Sequence, residues 1–229
     1  MNMKNETRGS IPENVASELN NAPLNLKPLV FTALALWLGL VSFLGARGAF
    51  VGSADSPPLA IFLGVTIPLA VFFAAYFGWS AFRAFILGAD LRLVAAIQAW
   101  RWGGLGFLAL YAHGVLPGPF AFPAGLGDMA VGVTAPWIVL RLVRDPSFAA
   151  SRRFVIWNIM GIVDFVVAVS MGTICSGFLH GLTLNVTTSA MGQLPLVLIP
   201  AYMVPFFAML HFTALFQARQ SIRQENPLK

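Results

Sequence analysis

The chain has 229 residues, of which 58% are hydrophobic and only 10% are charged. Soluble domains carry about 25% charged residues, so this composition excludes an ordinary soluble protein and is typical of a chain embedded in a membrane. The formal net charge of +5, from 14 Lys and Arg against 9 Asp and Glu, would suggest a nucleic-acid partner in a soluble chain. In a membrane chain the positive charges indicate topology instead, and we expect no nucleic-acid partner.

The first 28 residues are polar, carry charges of both signs and include three prolines. A segment of this kind buries too little apolar surface to form a packed core. It also lacks the apolar stretch of a secretory signal peptide. We therefore predict a mobile, cytoplasmic N-terminal tail at 1–28.

Six apolar runs follow, each long enough to cross the ~30 Å hydrocarbon core of a bilayer as a helix. Short segments rich in Gly, Pro, Ser or charged residues separate them. The pattern predicts an all-α, polytopic integral membrane protein with six transmembrane helices in one bundle at 29–217, and a C-terminal tail at 218–229. The predicted spans are 29–50, 59–82, 93–111, 120–140, 154–174 and 194–217.

The sixth span contains three evenly spaced prolines, at positions 195, 200 and 205. Proline removes a backbone donor, so this series predicts a kinked or opened helix. In carriers, broken helices often border the substrate site. The alternative is a helix that is bent only to fit its neighbours.

The basic residues predict the topology. With both termini in the cytoplasm, the cytoplasmic segments hold all Lys and Arg except Arg47, which is outside, and Arg101, which lies within a span. This distribution satisfies the positive-inside rule. We predict a multi-pass protein with both termini cytoplasmic, in a plasma membrane of the bacterial (inner) type.

Three charged residues lie deep inside the predicted spans: Arg101, Asp128 and Asp164. Each ionisable group in the bilayer core costs roughly 2.5–3.5 kcal/mol, so it requires a partner or a function. With ~1.5 Å of rise per residue, all three fall within about one helical turn of each other in depth. We predict that they form an intramembrane polar centre.

Small residues flank both aspartates in the same way. The pattern Gly-x-x-Asp-x-x-x-small occurs once in span 4 and once in span 5. Residues at this spacing share a helix face, and small ones let transmembrane helices approach closely. The duplication is either a trace of an internal repeat or a chance match. The predicted helix-packing residues are Gly125, Gly132, Gly161 and Ala168.

The remaining candidate ligands do not predict a metal or another cofactor. His113 and His180 fall in predicted outer loops and His211 in the inner half of span 6, whereas a metal or haem site requires histidines that converge at one depth. The single cysteine, Cys175, cannot form a disulfide within the chain. The sequence also lacks a convergent set of acid, base and nucleophile, so we favour a protein that is not an enzyme.

Two hypotheses follow from the charge balance. One arginine and two aspartates leave one negative charge unmatched, so either one carboxyl holds a proton or a cation occupies the centre. This favours a proton-linked small-solute carrier, which at six spans we expect to work as a homodimer in the lipid bilayer. The alternative is a non-catalytic membrane partner or assembly protein whose buried charges only fix helix packing. A water-accessible cavity that reaches an aspartate would favour the carrier.

Overall fold

The structure is a computed structural model that describes residues 26–52, 56–178 and 185–225. The tail predicted at 1–28 therefore lies outside the described residues except for its last three, which already belong to the first helix. His180 also lies outside the described residues.

Within the described ranges the fold is all helical, and six helices are long and apolar enough to cross a membrane. This confirms the prediction of an all-α chain with six such helices. They are α1 (Leu26–Ala46), α2 (Leu59–Gly78), α3 (Leu91–Ala112), α4 (Gly118–Arg144), α5 (Arg152–Ile174) and α6, which consists of a π-helical turn (Ile199–Met203) followed by an α-helix (Val204–Glu225).

Helix α2 ends earlier than the predicted residue 82. The backbone of Trp79 is extended, with φ −121° and ψ 107°, and a separate short helix follows at Ser80–Leu87. The guanidinium of Arg83 donates to the carbonyl oxygens of Tyr76 and Phe77 at 3.0 and 2.7 Å. Arg83 thereby satisfies carbonyls that the last turn of a helix leaves without backbone partners.

Helix α6 is shifted toward the C-terminus relative to the predicted span 194–217. Residues 194–197 form turns, and a π-helical turn around Pro200 forms the first part of the helix. Because proline cannot donate a backbone hydrogen bond, it favours such an irregular turn. At the other end, the side chain of Gln217 donates to the carbonyls of Ile86 and Ala89 at 2.8 and 2.9 Å. These bonds attach α6 to the segment that precedes α3.

Helix α3 changes its winding in the middle. Its central part, Gln98–Gly104, is a 3-10 helix between two α-helical halves. A 3-10 helix has three residues per turn, so side chains three positions apart lie in one row. Gln98, Arg101 and Gly104 form such a row and are all buried, while Trp100 and Trp102 are 76% and 50% exposed. The change of winding therefore directs Arg101 into the protein.

Helices α3 to α6 form the core of the molecule, each antiparallel to the next. One apolar cluster joins the start of α3, the end of α4, the start of α5 and the end of α6, and includes Val94, Leu142 and Phe154. We call this end of the bundle the basic end, because Arg141 and Arg152 lie there. A second cluster joins the opposite ends of the same helices.

Helices α1 and α2 flank this core. They pack against the start of α6 and the turn before it, in an apolar cluster that contains Val41 of α1, Ile61 of α2, Val197 and Ala201. Only 11% of the most apolar stretch of α1 is buried, compared with 50% of that of α6. The middle of the four-helix core, between the two apolar clusters, is where the charged residues lie.

Candidate functional site

Arg101 is the centre of a buried polar network. Its side chain is 1% exposed, and its Nε donates to Oδ1 of Asp128 at 2.7 Å. Its Nη2 forms an ion pair with Oδ2 of Asp164, and its Nη1 donates to the carbonyl oxygen of Gly161 at 3.3 Å. The structure thus brings together the three charged residues singled out in the sequence, from three different helices.

An aromatic ring fixes the plane of the guanidinium. The Cζ atom of Arg101 lies 3.9 Å from the ring centroid of Phe165, which follows Asp164 directly in α5. Arginine stacked on an aromatic face gains a cation–π attraction that is stronger away from water. With acceptors along its edge and a ring against its face, Arg101 has little freedom to reorient.

A histidine and an asparagine extend the network toward the basic end. Nε2 of His211 lies 2.9 Å from Nη1 of Arg101, and Nδ1 lies 2.9 Å from Oδ1 of Asn158. Arginine offers only donors, so Nε2 accepts and Nδ1 carries the hydrogen, which is the neutral imidazole. Asn158 in turn donates to the carbonyl of Phe154 at 2.9 Å. All these groups are buried.

Neither His211 nor Asn158 was predicted from the sequence as part of the site. Asn158 lies one turn before Gly161 and two before Asp164, so a polar row along this face of α5 was visible in the sequence. His211 was considered in the sequence only as a metal ligand.

The glycines near Asp128 let α3 and α4 touch through their backbones. A Cβ added at Gly125 would lie 2.9 Å from the carbonyl oxygen of Gly104, and one added at Gly132 would collide with the backbone nitrogen of Trp102. Real Cβ atoms do not approach backbone this closely. Only glycine at these two positions of α4 therefore allows the 3-10 segment of α3 to pack as it does.

The small residues near Asp164 have different neighbours. A Cβ at Gly161 would collide with the imidazole of His211, so this glycine makes room for a side chain. Ala168 packs against the apolar cluster opposite the basic end and lines a cavity. Gly127, which the sequence analysis did not select, lies against the carboxylate of Asp164, where a Cβ would collide with it.

A cavity of about 550 Å³ reaches Asp128. It extends from residues of the loops opposite the basic end, among them Ser176, Thr187 and Ser189, to the carboxylate in the middle of the core. Asp128 is the single charged residue among the described residues that line it. Hydroxyl groups are concentrated toward the loops, and phenylalanine rings form much of the wall.

A smaller cleft of about 170 Å³ also borders Asp128 and is lined mainly by α3 and α6. Arg101 and Asp128 form its inner end, and Trp100, Gly103 and Gly106 line its α3 side. Cavity and cleft share lining residues on four helices, including Asp128. The π-helical turn of α6 borders both spaces, in keeping with the frequent occurrence of π-bulges at functional sites.

Residues 58–219 match the model of a protein family described as "Domain of unknown function (DUF8737)". The chain belongs to this family. The match begins immediately before α2 and covers α2 to α5 and most of α6, so it contains the complete polar network and most of the cavity lining, while α1 lies outside it. No curated protein and no solved structure matches the chain.

Within the DUF8737 region, the two aspartates are not equivalent. The side chain of Asp128 is 18% exposed and faces both the cavity and the cleft, whereas that of Asp164 is 10% exposed and packs against Gly127. Arg101 links them as a shared partner. The arrangement places one carboxylate at the end of a space that can hold a small molecule and the other within the helix packing.

Proposed function

We propose that this protein is a multi-pass membrane carrier for a small solute and that protons at the Arg101–Asp128–Asp164 centre are linked to its transport. One observation carries the proposal: the cavity of about 550 Å³ that ends at Asp128. Ligand pockets commonly have volumes of about 300–1,000 Å³, apolar walls and a few polar groups. A cluster that served only to join helices would need no such space.

The charge of the centre supports the link to protons. Arg101 balances one carboxylate, and ionisation of both Asp128 and Asp164 would leave a net charge of −1 in the middle of the helix bundle. Burial of an unmatched charge is costly, so a proton or a cationic group of the solute is expected to compensate it. A group that gains and loses a proton beside a solute site is what coupling between solute and proton requires.

The alternative function is a non-catalytic membrane partner or assembly protein. The observation that favours it is the close enclosure of Arg101, whose guanidinium donates to four acceptors and stacks on an aromatic ring. A buried arginine held in this way can serve helix packing alone. The two functions differ in whether solute and water enter the cavity.

The proposal includes a topology, namely both termini and the basic end in the cytoplasm and the loop end of the cavity outside. In a Cys175→Ala background, Ser147→Cys at the basic end and Ser189→Cys at the cavity end are expected to react with a membrane-impermeant thiol reagent from opposite sides. Reaction of both from one side would contradict this topology. In the carrier proposal the protein forms a homodimer, which cross-linking in membranes tests.

The solute path is tested with a cysteine in the cavity. Ala168 lines the cavity one helical turn beyond Asp164. In the same background, Ala168→Cys is expected to react with the impermeant reagent added outside. His113→Cys, at an exposed site, is the positive control, and Ala135→Cys, at a position that is 0% exposed, is the negative control.

The proton link is tested with the same reaction. We expect the rate for Ala168→Cys, corrected for thiolate content with His113→Cys, to differ between pH 6 and pH 8, and this difference to disappear with Asp128→Asn. An unreactive Ala168→Cys beside a reactive His113→Cys would mean a closed cavity and would remove the support for a carrier. Reaction with no corrected pH dependence would leave a solute path without proton coupling.

A further inference from the structure

We propose that the solute is an amphiphilic organic cation, with its cationic group at Asp128 and its apolar part in the cavity and in the cleft between α3 and α6. This inference rests on the proposed function and adds the substrate class to it. It follows from three features of the space around Asp128: its charge, its aromatic wall and its branched shape.

The charge selects a cation. Asp128 ends the cavity, and the other charged or titratable groups of the centre are Arg101 from α3, Asp164 from α5 and His211 from α6. The positive charge of Arg101 is shared by two carboxylates, and the hydrogen-bond pattern keeps His211 neutral. A ligand at the end of the cavity therefore meets a carboxylate and no unbalanced positive charge. An anion would find no unbalanced positive charge to pair with there.

The wall suits a cation with little hydration. Phe107 and Phe120 line the cavity and pack edge to face, with ring centroids 5.4 Å apart. Phe62 contributes another ring from α2. Aromatic faces attract ammonium groups and replace part of their hydration, and quaternary ammonium ions are often bound in this way. A strongly hydrated inorganic cation would gain much less from such walls.

The cleft accounts for the apolar part. Apart from its own stretch of helix, a Cβ added at Gly103 or at Gly106 would meet no heavy atom of the described residues within 4 Å, so the absent side chains leave an open groove along α3. Trp100 at its border is 76% exposed, on a helix that we place in the bilayer. The groove thus leads from Asp128 toward the lipid-facing side. A small hydrophilic solute has no apolar part to place in this groove, whereas an amphiphile has one.

Binding can exchange one positive charge for another. When the cation arrives, the proton held by one carboxyl leaves to water, and when the cation departs a proton returns. No covalent bond other than that O–H bond forms or breaks. The net charge of the centre with its occupant stays the same in both states. Proton and organic cation therefore compete for one negative charge, which is the coupling that the carrier proposal needs.

Two ions of the same shape and opposite charge provide the test. Tetraphenylphosphonium and tetraphenylborate are compared by equilibrium dialysis against the full chain in lipid nanodiscs, with empty nanodiscs subtracted. We expect the phosphonium to bind at least about tenfold more tightly, a difference of about 1.4 kcal/mol. Asp128→Asn should remove this preference. Asp90→Asn is the matched control, because Asp90 caps a helix in an exposed loop.

The cleft has its own pair of variants. Gly106→Leu fills the groove, and we expect it to weaken tetraphenylphosphonium binding about tenfold while tetramethylammonium binding changes less than about twofold. Gly39→Leu, at another glycine with open surroundings but on α1, should change neither. An equal loss for both ions in Gly106→Leu would show that the groove does not receive the apolar part.

Three outcomes would overturn the substrate class: equal binding of the two tetraphenyl ions, no binding of the phosphonium, or binding that Asp128→Asn leaves unchanged. The reaction of Ala168→Cys with the thiol reagent separates this failure from failure of the carrier proposal. If that cysteine reacts but the phosphonium does not bind, the solute belongs to another class. If neither occurs, the carrier proposal fails as well.

Discussion

The two Gly-x-x-Asp segments have the same pattern and different neighbours. In α4, Gly125 and Gly132 contact the backbone of the 3-10 segment of α3, so helix meets helix directly. In α5, Gly161 contacts the ring of His211, and Ala168 borders the cavity. The spacing of small residues thus predicts that another group packs closely against the helix at these positions. Whether that is a backbone, a side chain or a ligand depends on the partner helix.

The aspartates of the two segments also differ in what surrounds them. Asp128 lies at the inner end of the cavity and accepts from Nε of Arg101. Asp164 accepts from Nη2 and packs against Gly127. We interpret the carboxylate of Asp128 in α4 as the group that binds the solute. The carboxylate of Asp164 in α5 is then a structural partner of Arg101 that stays in place. The predictions below test this division, starting with the change that removes the partner of both.

The largest effect is expected from Arg101→Leu. This change leaves two buried carboxylates without their shared cation, and breaking a buried ion pair costs about 3–5 kcal/mol. The triple variant Arg101→Leu, Asp128→Asn, Asp164→Asn removes the charges together and should be more stable than Arg101→Leu alone. The free energy of unfolding in detergent micelles, followed by circular dichroism, measures both. A triple variant no better than the single one would show that the three residues do not act as a cluster.

The next effect compares the glycines of the two segments. Gly132→Ala places a Cβ against the backbone of Trp102, which cannot move without shifting α3, whereas Gly161→Ala meets the ring of His211. Overpacking typically costs about 1–3 kcal/mol, and we expect Gly132→Ala at the upper end of that range. Unfolding midpoints in detergent rank the two variants.

Gly106→Ala is the matched control for these substitutions, because its Cβ would meet open space. Replacing glycine by alanine inside a helix there should stabilise the protein by up to about 1 kcal/mol. If Gly161→Ala destabilises as much as Gly132→Ala, the contrast between a backbone contact and a side-chain contact is wrong. Gly161→Ala combined with His211→Ala should then distinguish a collision with the ring from other causes.

A smaller effect is expected from His211→Leu, which concerns the α5 side of the network. It leaves Nη1 of Arg101 with the Gly161 carbonyl alone at 3.3 Å and removes the donor to Oδ1 of Asn158. An unmet buried hydrogen bond costs about 1–3 kcal/mol. His211→Gln, whose amide oxygen can still accept from Arg101, should recover part of the loss. Equal unfolding free energies of the two variants would contradict an acceptor role for His211.

The relative level of the charged residues along the helix bundle was predictable from the sequence, and rotation about each helix axis was not. Counting residues from the span ends put Arg101, Asp128 and Asp164 at one level, and the structure brings them into contact. Which face of α6 pointed toward them could not be derived, so His211 was not assigned to the network. Six apolar runs likewise predict six helices, but they do not distinguish the buried α6 from the exposed α1.

The winding of α3 also escaped the sequence analysis. Propensity does not separate a 3-10 segment from an α-helix, and Gln98–Gly104 contains no proline that would indicate a break. The one signal was a row at spacing three, formed by Gln98, Arg101 and Gly104. The end of α2 and the start of α6 also differed from the predicted positions. The extended backbone at Trp79 and the π-helical turn at Pro200 are local conformations that depend on tertiary packing, so the sequence did not predict them.

The last prediction concerns a single proton. The guanidinium of Arg101 offsets one carboxylate, so we predict that the pair Asp128 and Asp164 together holds one proton at pH 7 in the absence of solute. Replacing Asp128 or Asp164 by Asn keeps the shape of the side chain, so the free energy of unfolding should change little. The infrared band of a proton held by the replaced carboxyl should disappear completely. Infrared difference spectroscopy should show a protonated carboxylic C=O band at pH 7 in the full chain, and Asp90→Asn should retain it. Loss of the band only in Asp128→Asn would assign the proton to the cavity side and sharpen the contrast between the two segments, whereas loss in either variant would mean that they share it. If the wild-type chain shows no such band, both carboxylates are ionised, and the proton link then loses its support.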